Sequence, residues 1–89
     1  MSRRDRIAAL LETAFSPERM EILDESHLHH GHAGWREGGE THYRVLVVSS
    51  AFEAKNLIER HRMVNEALKP ELDAGLHALA ITARAPGEA

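Results

Sequence analysis

Residues 41–49, Thr-His-Tyr-Arg-Val-Leu-Val-Val-Ser, constrain this chain most firmly, because Tyr43, Val45 and Val47 alternate with His42, Arg44, Leu46 and Val48. A period of two puts the first set on one face of a β-strand. An apolar strand face has to be covered by other elements of the chain. With 89 residues there is material for one core, since a chain of this size buries only roughly 60 to 65% of the surface it exposes unfolded. The expectation is a single domain over residues 1–89.

The covering elements announce themselves by other periods. Ile7, Leu10, Leu11, Ala14 and Phe15 fall on one helical stripe while Arg4, Arg6, Glu12 and Thr13 face elsewhere. Ser16 and Pro17 should stop that helix, since proline disfavours helical geometry in the residue before it. In residues 20–25, Met20 and Ile22 alternate with Glu21 and Leu23, which predicts a first, half-buried strand. Ser50 and Glu53 have capping-box spacing, so a helical turn is expected to begin there. Over residues 55–72 a long helix is predicted, with Leu57, His61, Val64 and Leu68 on its core stripe and Ile58 and Ala67 beside it. Pro70 suits a late break or a new turn, and Gly75 releases the chain into a last strand over residues 76–82, followed by a frayed tail, 83–89.

The predicted class is therefore α+β, a three-stranded mixed sheet with helices on one face. Its first two strands should pair antiparallel. The helical crossover then returns the third parallel to a neighbour, most simply with right-handed connectivity.

Composition narrows the function classes. Eleven Lys and Arg against fourteen Asp and Glu leave a formal charge of −3, which offers no global attraction to phosphate backbones or anionic membranes. No apolar run approaches the roughly 20 residues a bilayer span needs, so a soluble protein without a membrane role is expected. Arg3, Arg4 and Arg6 faintly resemble a transit peptide, but Asp5 and Glu12 interrupt the pattern and the segment has a core role. With no cysteine the chain forms no disulfide and offers no thiolate, which fits the reducing cytoplasm.

Seven histidines are the unusual feature. Protonating all of them would carry the formal charge from −3 to +4. His27, His29, His30 and His32 fall in a loop over residues 26–40 with Gly31, Gly34, Gly38 and Gly39. A loop of that length is often functional, although a solvated polar loop with opportunistic metal affinity reads equally well. His61 lies on the stripe of the long helix, where a half-buried ring with its nitrogen bonded to a neighbour is expected. His42 caps the loop or pairs across strands. His77 begins the last strand, where rigid backbone aims its ring toward the loop. No Cys nucleophile, His-Glu-x-x-His helix or Gly-x-Ser-x-Gly elbow occurs, and the spacing of Ser26, Ser49, Ser50 and Asp24 requires no triad, so a non-enzymatic role is expected.

Several stretches resemble the BolA-like family: Asp24-Glu25-Ser26 with Gly31-His32, Glu40-Thr41-His42-Tyr43-Arg44-Val45, Phe52-Glu53 with Lys55, Arg60-His61-Arg62-Met63-Val64-Asn65, and Leu76-His77-Ala78-Leu79. They cover nearly the whole stretch from Met20 to Ile81 in the family's order. The resemblance implies the α-β-β-α-α-β arrangement related to class II KH domains. It further implies partnership with a monothiol glutaredoxin, sharing a glutathione-assisted 2Fe-2S cluster in iron-sulfur trafficking or iron regulation. His77 matches the family's ligand before the last strand. His32 matches the histidine of the variable loop, favoured over His29 and His30 by Gly31-His32. Iron of a 2Fe-2S centre accepts imidazole in place of thiolate, as Rieske centres show. By the same analogy the thiolates come from the glutaredoxin and from glutathione, and the chain alone holds no cluster stably. Ala54 departs from the pattern, replacing a glycine often found there.

Two other readings stand beside it. A DNA-binding transcriptional regulator would use the basic long helix through Lys55, Arg60 and Arg62, with Lys69 nearby. A KH grip needs a Gly-x-x-Gly loop between helices, whereas Gly31-His32-Ala33-Gly34 falls between strands and Phe52-Glu53-Ala54-Lys55 lacks both glycines. A metal buffer without a partner would bind zinc or nickel through His27, His29 and His30.

Overall fold

A computed structural model of the protein describes residues 2–25 and 42–88. The elements run α1 (Arg3–Phe15), β1 (Arg19–Asp24), β2 (His42–Val48), a 3-10 turn (Ser50–Phe52), α2 (Leu57–Ala67), α3 (Lys69–Asp73) and β3 (Ala78–Arg84). The sheet order is β1-β2-β3. β2 pairs antiparallel with β1, Ile22 opposite Val45, and parallel with β3, Val45 opposite Ile81. This is the predicted three-stranded mixed sheet of an α+β fold. A two-residue turn cannot return a strand parallel, and here the chain between β2 and β3 supplies the helices.

Tyr43, Val45 and Val47 are buried as the alternation required, against Ile7, Leu11 and Phe15 of α1, Phe52 of the 3-10 turn, and Val64 and Leu68. Each such side chain contributes roughly 1.5–3 kcal/mol on leaving water. Phe15 and Phe52 meet with ring centroids 4.9 Å apart. The α1 stripe is narrower than expected, since Ala14 is exposed. At the start of α1, Ser2 and Asp5 form a reciprocal capping box, and at its end Ser16 takes a left-handed conformation (φ 44°) before Pro17.

The region after β2 corrects several expectations. Ser50 and Glu53 form no capping box. Ser49, extended at the strand exit, caps the 3-10 turn by accepting the Ala51 N–H at 3.1 Å while its hydroxyl donates to the Phe15 carbonyl at 2.6 Å. The box lies three residues beyond Glu53: Asn56 accepts the Glu59 N–H at 2.8 Å, and Glu59 accepts the Asn56 N–H at 3.0 Å. Its carboxylate also complements the positive end of the α2 dipole.

The single long helix over 55–72 is two helices. Pro70 has no N–H to donate and sits in the first turn of α3, where none is needed. Leu57 and Ile58, expected on or beside the core stripe, are 66% and 65% exposed, because α2 meets the core only from its second turn onward.

β3 begins two residues later than predicted. Gly75 (φ 115°) closes α3 in a Schellman motif, with Leu76 N–H to Glu71 O at 2.9 Å and Gly75 N–H to Leu72 O at 3.4 Å. Leu76 is therefore the buried stop of a helix rather than the start of a strand. The tail is not frayed over its described part: Ala83 and Arg84 belong to β3, Ala85 is buried, and Glu88 accepts the Ala85 N–H at 2.9 Å. Among the described residues no helix is long and apolar enough to cross a membrane.

Candidate functional site

The parallel pairing of β2 with β3 brings the first residues of both strands to one end of the sheet. His42 stands opposite Ala78 in that register, next to the residue that precedes β3. His77 is held between two anchored neighbours, Leu76 in the Schellman motif and Ala78 in the sheet. Its ring is exposed, whereas His42 is 5% exposed. The two ring centroids are 5.2 Å apart and the planes are tilted by 57°.

The backbone around the pair is pinned from the other side as well, since the Glu25 N–H donates to the His42 carbonyl at 2.8 Å. Arg44 donates to the Glu25 carboxylate at 3.2 Å. Glu25, His42, Tyr43, Arg44, Ala78 and Leu79 line a recess of about 240 Å³, which His42 enters and His77 does not. An exposed neutral imidazole on rigid backbone is a nitrogen donor for a metal of intermediate softness. Among the described residues no group of three or more His, Cys, Asp and Glu is assembled to hold a metal ion.

His77, predicted to begin the last strand, lies immediately before it. His32 falls outside the described residues, as do His27, His29 and His30. His42, predicted to cap the loop or pair across strands, is buried against His77. No sequence period signals that contact, which depends on parallel register. His61 is half-buried as expected, but its Nε2 is buried without a hydrogen-bond partner among the described residues rather than bonded to a neighbour.

The basic set Lys55, Arg60 and Arg62 is not a uniform surface. Lys55 and Arg62 are exposed. Arg60 is consumed within the fold: its guanidinium donates to the carbonyls of Lys55 at 2.9 Å and Ala83 at 3.1 Å, and to Glu88 at 2.6 and 2.9 Å. The Glu88 hydrogen bonds raise the Arg60 pKa, so the pair is doubly charged. A phosphate would have to displace a bidentate carboxylate, which removes Arg60 from the DNA-binding reading.

A protein-family model described as BolA-like protein matches residues 11–88. The Sinorhizobium sp protein of the cobS 5' region is 54% identical over 99% of this chain and 96% of its own length. Mouse BolA-like protein 1 is 51% identical over 92% of this chain, which spans 57% of that protein's length. The BolA domain of SufE1 from Arabidopsis thaliana superposes with a TM-score of 0.89 at 43% identity, covering all of this chain and 98% of that domain. The whole Arabidopsis SufE-like protein 1 is longer, and the chain spans 24% of it. The family model takes in β1, β2, α2, α3 and β3 with His42 and His77, and so the chain belongs to the BolA-like protein family.

Proposed function

We propose that the chain is a non-enzymatic partner of a monothiol glutaredoxin, contributing His77 and His32 to a 2Fe-2S cluster whose remaining ligands are the glutaredoxin and glutathione thiolates. The observation that carries the reading is His77: an exposed residue, immobilised through backbone on both sides, at the end of the sheet where β2 and β3 begin. The residues present fit the group, because a 2Fe-2S iron accepts imidazole nitrogen in place of thiolate. When bound, the cluster supplies redox-active iron that can pass from one protein to another.

What the chain itself does is bind and orient. His77 is exposed, so a second protein's surface can approach it. A neutral imidazole in place of a thiolate also lowers the negative charge around the cluster and raises its potential. With no cysteine, the chain cannot complete the ligand set. The reading places it in the cytoplasm, where thiols stay reduced, and in iron-sulfur trafficking or iron regulation.

The test is to add the chain to a cluster-loaded monothiol glutaredoxin with glutathione and follow the visible absorption and circular dichroism. A new spectrum is expected, abolished by His77→Ala and weakened or shifted by His32→Ala. A glutaredoxin spectrum that stays unchanged at excess chain overturns the proposal.

A further inference from the structure

We propose that His42 is a positioning residue for His77: the buried imidazole at the head of β2 is the wall that limits rotation of the exposed ring and sets the direction in which its donor nitrogen is presented. The inference rests on the reading of His77 as a ligand and concerns a residue which that reading does not use.

The two backbones are already fixed. His42 is held by the Glu25 N–H at 2.8 Å and by pairing opposite Ala78, and Leu76, just before His77, donates to the Glu71 carbonyl at 2.9 Å. The freedom left at His77 is rotation of its side chain, which at an exposed position ordinarily visits several staggered wells. A centroid separation of 5.2 Å with a 57° tilt is direct ring contact, within the range at which aromatic rings attract each other. His42, 5% exposed, has no room to swing away, so His77 is the member that adapts. A ligand that has shed part of its rotational freedom before binding loses less on binding; metal-ligating histidines are usually oriented by a hydrogen bond to the other ring nitrogen, and here the packed ring of His42 would take that part. A flat ring of similar width should serve at position 42, whereas a methyl group should not.

Nuclear magnetic resonance of the chain alone tests this first. A ring-to-ring Overhauser effect is expected in the native chain. In His42→Ala the His77 ring signals should move to those of a freely rotating histidine, while His42→Phe keeps them displaced. With loaded glutaredoxin, His42→Ala should require roughly three- to tenfold more chain to reach the same shared-cluster spectrum, and His42→Phe should restore the native requirement. Unchanged His77 signals in a folded His42→Ala, an unchanged chain requirement, or a His42→Phe as impaired as His42→Ala each overturn it. Should His42→Ala not fold, a missing ring-to-ring effect in the native chain overturns it instead. If the native chain leaves the glutaredoxin spectrum unchanged, the ligand reading fails while the ring measurements still decide whether His42 orients His77.

Discussion

Arg60 grips Glu88 with both arms of its guanidinium, at 2.6 and 2.9 Å, and a third bond from the same group to the Ala83 carbonyl fastens the end of the chain to α2. The Glu88 carboxyl is held down to about 2, first by the Arg60 hydrogen bonds and then by the Ala85 N–H. A carboxyl depressed in the folded state contributes stability that is complete above its unfolded value. That contribution declines as pH falls through the folded value. For Glu88 the window runs from the ordinary carboxylate range near pH 4.5 down to about 2. A carbon-detected titration should find its midpoint near the lower limit. Arg60→Gln should return it most of the way to the ordinary range and mobilise residues 85–88.

Glu71 joins α1 to α3 in the same manner but at a buried site. Its oxygens accept from Arg3 at 3.0 Å and Arg6 at 2.9 Å, with the Arg3 and Glu71 side chains 10% and 7% exposed. Glu71→Ala should cost ~3 kcal/mol in urea unfolding, because it strips a buried guanidinium of its counter-charge. The double replacement Arg3→Met with Glu71→Leu should recover most of that loss. The Arg6 and Arg3 bonds lower the Glu71 pKa, so this stabilisation is present above the ordinary carboxylate range and is lost on acidification below it.

Ala54 has φ 62°, in the left-handed region that a Cβ disfavours. A glycine, which the family resemblance leads one to expect there, would suit this backbone. Ala54→Gly should stabilise the chain by roughly 0.5–1 kcal/mol, the relief of strain being partly offset by the greater freedom of unfolded glycine. Thermal unfolding of the two forms checks it. A drop in stability would show that residue 54 does not hold this conformation.

Ile58 lies on the exposed first turn of α2. Ile58→Lys should therefore change stability by no more than about 0.5 kcal/mol, as surface substitutions do. Had the residue been part of the core, the same change would cost several times more, and the urea midpoint separates the two outcomes.

Sequence by itself determined the class of fold and its centre. Alternation at Tyr43, Val45 and Val47, and the recurrence of Ile7, Leu11 and Phe15, are local periods that report which face is buried, whatever the partner. The resemblance carried by residues 20–81 pointed to the family that the comparisons established. Tertiary structure alone decided which polar groups meet. Leu57 reads as core by helical spacing but is 66% exposed, and the capping box moved to Asn56 and Glu59 because the strand exit gave Ser49 its own partners. Arg60 and Glu88 lie 28 residues apart, and Arg3 and Glu71 68 apart. His42 and His77 touch only because parallel pairing places His42 opposite Ala78. Periodicity records burial within one element, whereas a contact between two elements depends on register and crossing geometry, which the whole chain settles together.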